Sequence, residues 1–331
     1  VDFKRPLCAI TTTLPVEVPY AAGWSVVDLN NLFINADDPT VLVEEAEIRG
    51  FPRTFCAWVK GIYAVCRRLK PDLLVAVSGG DCTNTRVLAE VLAEEGVAVF
   101  HFTFPYPADR RALEEEIKRL CRRFGVSIQD AQRTKQRLDG IRRLLQHLDD
   151  LTWREHKVTG AENHIWLVSA SDFRSDPEQF ERQLTAFLEQ VERRSPSPPK
   201  IRLAYAGVPP IITDFYDFFP DYDADIVLNE TQRQFAGLPI CADLVEQYHR
   251  YTYPYTFAYR LADIRGEVRR RCCHGLIYYA QTFCFRHAYE VLLRQSSPVP
   301  YLTLEADAPG PLSAQHRTRL EAFLEMIAAS L

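Results

Sequence analysis

Leu73-Leu74-Val75-Ala76-Val77-Ser78-Gly79-Gly80-Asp81-Cys82-Thr83-Asn84-Thr85 joins an apolar run to a glycine pair, a cysteine and the start of an amphipathic segment. The run over 73–78 reads as a buried strand and 85–95 as a helix. The glycines let the backbone turn tightly and approach a ligand closely. A strand, a tight loop and a helix form half of a parallel βαβ unit, and open parallel sheets bind ligands beyond the carboxyl ends of their strands. Cys82 therefore stands where such a sheet presents its chemistry. It also lies beside a helix N-terminus, whose free amides and dipole favour a thiolate.

The same alternation extends in both directions. Strands are expected over 7–13, 26–32 and 97–104. Helices are expected over 53–69, with Phe55, Val59, Ile62, Tyr63 and Cys66 at helical spacing, and over 110–123, with Leu113, Ile117 and Leu120 on one face. A helical middle runs over 128–155. Asp176 and Pro177 then supply the N-cap and first-turn proline of a helix to 192. Ser195-Pro196-Ser197-Pro198-Pro199 reads as a linker. Beyond it, strands are expected over 201–207, 225–229, 276–281 and 301–305, and helices near 213–219, 255–271, 286–294 and 313–329. The reading is α/β: an N-terminal α/β domain with a helical extension over 1–155, a helical connection and linker over 156–199, and a C-terminal α/β domain over 200–331.

Composition narrows the function. The 331 residues carry a net charge of −5, with 47% hydrophobic and 25% charged residues, as in a globular protein. A negative balance argues against a nucleic-acid footprint, and Arg269-Arg270-Arg271 reads as a solvated helix end. No apolar run is long enough for a membrane span. The opening Val1-Asp2-Phe3-Lys4-Arg5-Pro6 has no signal-peptide pattern, so a cytoplasmic location is expected. The nine cysteines are odd in number and scattered, which suits buried thiols or metal ligands better than a disulfide framework.

Two further cysteines share the setting of Cys82. Strand 276–281 runs into Thr282-Phe283-Cys284, and Cys56 follows Gly50-Phe51-Pro52 near a helix start. Three thiolates from separate loops suit a cuboidal iron–sulfur cluster with one iron left open. Cys8 and Cys121 read as structural, Cys66 and the adjacent Cys272 and Cys273 as core, and Cys241 stays open. His287 is placed either toward the same cleft or in solvent. Phosphate-loop, nucleophile-elbow, dinucleotide and H-E-x-x-H motifs are all missing from the sequence.

Several stretches resemble the 2-hydroxyacyl-CoA dehydratase and benzoyl-CoA reductase family. Leu14-Pro15-Val16-Glu17-Val18-Pro19-Tyr20-Ala21-Ala22-Gly23 is similar to its P-x-E-x-x-x-A-A-G signature. Phe55-Cys56-Ala57-Trp58-Val59-Lys60, Gly80-Asp81-Cys82-Thr83-Asn84-Thr85 and Leu276-Ile277-Tyr278-Tyr279-Ala280-Gln281-Thr282-Phe283-Cys284 resemble its three cluster-cysteine regions. The tail at 299–307 and 318–325 is similar to its closing strand and helix. The resemblance implies two flavodoxin/Rossmann-like domains with parallel sheets around a [4Fe–4S] cluster held by Cys56, Cys82 and Cys284. It also implies a homodimer or a heterodimer with a related subunit, an ATP-dependent iron–sulfur activator protein, and an acyl-CoA or other small-molecule substrate, with neither nucleic acid nor membrane. The activity implied is radical 2-hydroxyacyl-CoA dehydration, or a related low-potential reduction. Asp81, Thr83 and Asn84 are expected as donors around the cluster, with Asp81 equally readable as a helix N-cap. Glu17 is expected either at the active cleft, in a catalytic role, or as a cap on the helix after Pro15. Arg233 reads as pairing with Glu230 ahead of an anionic substrate.

The sequence departs from the family at Arg269-Arg270-Arg271-Cys272-Cys273-His274-Gly275, where an acidic residue commonly precedes the glycine. Some relatives carry a double-cubane [8Fe–9S] cluster. Here that would need three more ligands, from Cys66, Cys272 or Cys273, and Cys241. A cluster-holding, electron-transferring partner subunit and a zinc hydrolase using the same thiolates are the other readings.

Overall fold

A computed structural model describes residues 5–331; residues 1–4, within the opening stretch read for a leader and at the start of the first expected domain, lie outside the described residues. Two four-stranded parallel sheets organise the chain. The first has the order β2-β1-β3-β4, from Leu7–Ile10 (β1), Ser25–Asp28 (β2), Leu73–Gly79 (β3) and Val99–Thr103 (β4). The second repeats it as β6-β5-β7-β8, from Ile201–Gly207 (β5), Ala224–Asn229 (β6), Gly275–Ala280 (β7) and Tyr301–Glu305 (β8). The α/β reading holds.

Alternation along each strand creates the layers. Leu73, Val75 and Val77 face one core, while Leu74 and Ala76 face another. In the second sheet, Ile201, Leu203, Tyr205, Ile277 and Tyr279 join that same second core. Ala204, Ala206, Leu276, Tyr278 and Ala280 face a third. One apolar layer is therefore shared by both sheets, and each sheet is buried on both faces, as parallel sheets require. Helix α4 (Ala57–Leu69) belongs to the shared layer, and its residues Ala57 to Cys66 are buried all round. Even Lys60 lies inside, held by Glu47 at 2.6 Å and by the carbonyl of Arg53 at 3.1 Å.

A 26-residue helix, α7 (Ile128–Trp153), ties the halves together. A capping box starts it: Ser127 and Asp130 satisfy each other's end of the first turn. Midway, Arg142 donates to Glu17 of α1 (Glu17–Ala21) at 2.7 Å, and the Tyr248 hydroxyl donates to the other Glu17 oxygen at 2.8 Å. Two turns on, Asp149 accepts from Arg271 at 2.5 and 2.8 Å, at the end of α12 (Phe257–Arg270). All four charged groups of these two pairs are buried. Removing one partner of such a pair costs about 3–5 kcal/mol, because the other charge is stranded.

Several local expectations are corrected. The strand expected over 26–32 stops at Asp28, whose side chain accepts from the Asn30 amide at 2.9 Å and so caps helix α2 (Leu29–Ile34). The helix expected near 213–219 is only a short turn, because Phe215, Phe218 and Phe219 pack as a ring cluster with Tyr205 and Tyr222. Helices α3 (Pro39–Ile48) and α8 (Gly160–Val168) were not anticipated, although Asp38-Pro39 and the Thr159/Glu162 capping box are recognisable starts. Arg233 pairs with Asp263, not Glu230; Glu230 is taken by the buried Arg260 at 2.5 Å. Cys272 is exposed, not core, because it follows the helix end in the left-handed conformation, at φ 50°.

Gly207 ends β5 at φ 121°, and a Cβ there would lie 2.0 Å from the Tyr279 carbonyl oxygen. Both the conformation and the space exclude a side chain. Gly207→Ala is expected to lower stability by about 2–4 kcal/mol. A urea titration checks this, with a lower midpoint and an unchanged slope as the expected result.

Candidate iron–sulfur cleft

Strand order 2-1-3-4 places a crevice between β1 and β3, where connections leave in opposite directions; β5 and β7 make its counterpart. Both crevices open onto one cavity of about 110 Å³. Thr11 and Thr12 follow β1, Asp81 and Cys82 follow β3, Val208 and Pro209 follow β5, and Gln281 and Cys284 follow β7; all line it. Cys56, at the start of α4, completes the group of three thiols on the same wall.

Each of these cysteines occupies a helix N-cap. Cys56 precedes α4, Cys82 precedes α5 (Thr83–Glu94), and Cys284 precedes a 3₁₀ turn over Phe285–Tyr289. The first-turn amides of a helix have no partners within it. None of the three sulfurs accepts a cap hydrogen bond, and Thr85 and His287 donate to the carbonyls of Cys82 and Cys284 at 3.1 and 2.9 Å, but the amides of Trp58 and Val59, of Asn84 and Thr85, and of Arg286 and His287 lie close enough to favour the thiolates of Cys56, Cys82 and Cys284 in turn. Burial outweighs them. It pushes the Cys56 thiol up to about 12 and Cys82 to about 11, and raises Cys284 as well. The three sulfurs also feel one another, since charge on Cys82 and Cys284 opposes ionisation of Cys56.

Among the described residues, no three His, Cys, Asp or Glu side chains close on one point as a single metal ion needs. The donor set instead fits a polynuclear cluster, in which each thiolate holds a different iron and the cluster itself spaces the ligands. Two orphaned donors on the cavity wall add to the fit: the buried Gln281 Nε2 and Trp58 Nε1 have no hydrogen-bond partner among the described residues. Positive charge is close by. Arg286 is buried, 3.4 Å from the Asp81 carboxylate, and lies 4.0 Å from the ring centre of Tyr253; Arg260 lies over the same ring at 4.7 Å.

The expected site residues divide. Cys56, Cys82, Cys284 and Asp81 line the cavity, whereas Thr83, Asn84 and Glu17 do not. The N-cap of α5 is Cys82, so Asp81 does not cap it; burial raises the Asp81 carboxyl while Arg286 opposes that rise. Glu17 opens α1 inside its pair with Arg142 and Tyr248. His287 bonds Glu305 at 2.9 Å and is not on the wall. Cys8, Cys66, Cys121 and Cys273 are buried in the cores, and neither Cys241 nor Cys272 reaches the cavity.

Residues 11–327 match the family described as 2-hydroxyglutaryl-CoA dehydratase, D-component. The chain belongs to that family. No curated protein matches it. Among solved structures, the Pseudomonas aeruginosa SBP FpvC, in complex with Mn2+, aligns over 98% of both chains at 14% identity with a TM-score of only 0.22. The D-component match covers every element from α1 to α14 (Ala314–Ala328) except the last residue of α14, and all three cavity cysteines. Among the described residues, no helix is long and apolar enough to cross a membrane.

Sequence reasoning missed the cavity wall contributed by β2 and α8. Asp28 and His164 both line it. His164 stacks on Tyr216 at 4.9 Å, bonds Gln232 at 2.8 Å, and is lowered by burial to about 4, so it is neutral at pH 7. Behind Asp28, Asp172 accepts from the Asp28 amide at 2.7 Å. Burial first, then the Asp28 charge, raise Asp172 to about 7. An acid raised on folding binds its proton more tightly in the native state, so this group's contribution to stability falls as pH rises from about 4 to 7. Carbon-13 NMR of labelled aspartate is expected to show one carboxyl titrating near 7 that is absent in Asp172→Asn; titration of every carboxyl below 5 would contradict this environment.

Proposed function

We propose that this chain is the iron–sulfur subunit of an ATP-activator-dependent radical 2-hydroxyacyl-CoA dehydratase, or of a related low-potential reductase. In this reading Cys56, Cys82 and Cys284 hold one [4Fe–4S]-class cluster. The observation that carries it is the meeting of three N-cap thiols from three separate loops on one cavity wall. The family supports the dehydratase-type chemistry. When bound, the cluster supplies single low-potential electrons and an iron with an open position.

The protein's own residues shape what that chemistry meets. Backbone amides at all three sulfurs, and Arg286 at Cys284, offset negative charge that the buried wall alone would resist. Ile34, Val59, Ile62, Val168 and Phe235 keep the rest of the wall apolar and restrict water. Asp28, Asn30, Asn31 and His164 supply the polar groups that would orient a bound carbonyl or hydroxyl. With only three cysteines on the wall among the described residues, a single cubane fits better than a double one.

Protein purified without oxygen is expected to be brown, with about four iron and four sulfide per chain. Cys56→Ser, Cys82→Ser and Cys284→Ser should each lose most of that iron while keeping the far-ultraviolet dichroism of the fold. Cys241→Ser and Cys272→Ser should retain it. A colourless zinc protein, or full iron content in the three cavity variants, would overturn the reading. Turnover of an acyl-CoA by the loaded protein with its activator separates a catalytic subunit from a cluster-holding one.

A further inference from the structure

Gln281 joins two of the thiol loops. Its backbone carbonyl accepts from the Cys284 amide at 3.0 Å, closing the turn that presents Cys284. Its side-chain Oε1 accepts from the Cys56 thiol at 2.7 Å. The residue is 3% exposed and lines the cavity. Its Nε2 is buried without a hydrogen-bond partner among the described residues. A buried amide nitrogen left unbonded is costly, so this arrangement leaves Gln281 only half satisfied.

The demand on the amide reverses when Cys56 is a ligand. A thiol donates its proton and needs an acceptor. Once the S–H bond breaks, an S–Fe bond forms and the proton passes to water; the sulfur then carries negative charge and can only accept. The same amide, turned end for end, would bring Nε2 to that sulfur and supply the donor it lacks. Asn and Gln amides present a donor and an acceptor in nearly the same shape, so no other atom need move far.

We propose that Gln281 is a positioning residue that reports and tunes the state of the cluster: Oε1 holds the free Cys56 thiol, and Nε2 donates to the sulfur once iron is bound. The inference rests on the cluster reading given above. A hydrogen bond to a ligating sulfur withdraws charge from the iron and raises the reduction potential. Gln281 thus makes the cluster easier to reduce, without touching substrate.

The test is a redox titration of the anaerobically loaded protein, followed by electron paramagnetic resonance. Gln281→Met keeps the side chain's length and removes the N–H; Gln281→Glu replaces it with an acceptor. Both are expected to keep full iron and sulfide and to shift the midpoint to more negative potential, Gln281→Glu further. Unchanged potentials in both would overturn the role of Gln281 and leave the cluster intact. Should the variants fail to load, the unsubstituted protein decides. With ¹⁵N-labelled glutamine side chains, its reduced cluster should show a nitrogen coupling, and a loaded cluster without that coupling overturns the proposal. If the unsubstituted chain takes up no iron and sulfide, the cluster reading itself fails, and this inference with it.

Discussion

The site depends on one local arrangement, repeated three times: a cysteine at the N-cap of a helical turn, its sulfur beside the positive end of the backbone. A buried thiolate in an apolar cleft is costly, and the high positions of Cys56 and Cys82 show that burial dominates. The amides do not remove that cost, but they aim fixed partial positive charge at each sulfur at no further cost in ordering. Parallel βαβ architecture supplies such positions as a matter of course, since a loop at the carboxyl end of a strand runs into a helix N-terminus. Two of the three cysteines follow that pattern directly, after β3 and β7. Cys56 achieves it through α4, the helix buried between the sheets.

Three such positions are useful only if the two sheets hold a fixed relation. The shared apolar layer and α7 provide it. Along α7, Arg142 is committed to the first half and Asp149 to the second, and every charge involved is out of water. Buried ion pairs are poor sources of net stability, but they tolerate few alternative arrangements. Their position on one rigid helix fixes register more than it adds to the folding free energy. Arg260 and Arg286 serve the cavity similarly: each is committed to an acidic partner, and both pack against Tyr253.

Much of this was readable from the sequence. Leu73 to Val77 is a continuous apolar run, Ile201 to Ala206 is apolar but for Arg202, and both strands end in glycine, as suits strands buried on both faces. Cys82 and Cys284 were legible because each follows such a strand within a few residues. Asp28 was not, because Val26 to Leu32 has the hydrophobicity of one strand, and only the local bond from Asn30 reveals that the chain turns into a helix there. His164 was hidden within a helix whose start, Thr159 with Glu162, is a short-range signal with little apolar periodicity to reinforce it. The pairing of Arg233 with Asp263 depends on tertiary proximity that neighbouring residues do not encode. The orphaned amide of Gln281 is likewise a property of three-dimensional packing.

With three cysteines on the cavity wall and no fourth among the described residues, the account requires a cluster whose irons are not equivalent. Mössbauer spectroscopy of ⁵⁷Fe-loaded protein, in the reduced state and without substrate, tests this most directly. About one iron in four should give a distinct signal, reflecting a site without a cysteine ligand. Four equivalent irons, or a spectrum of isolated ferrous ions, would contradict it.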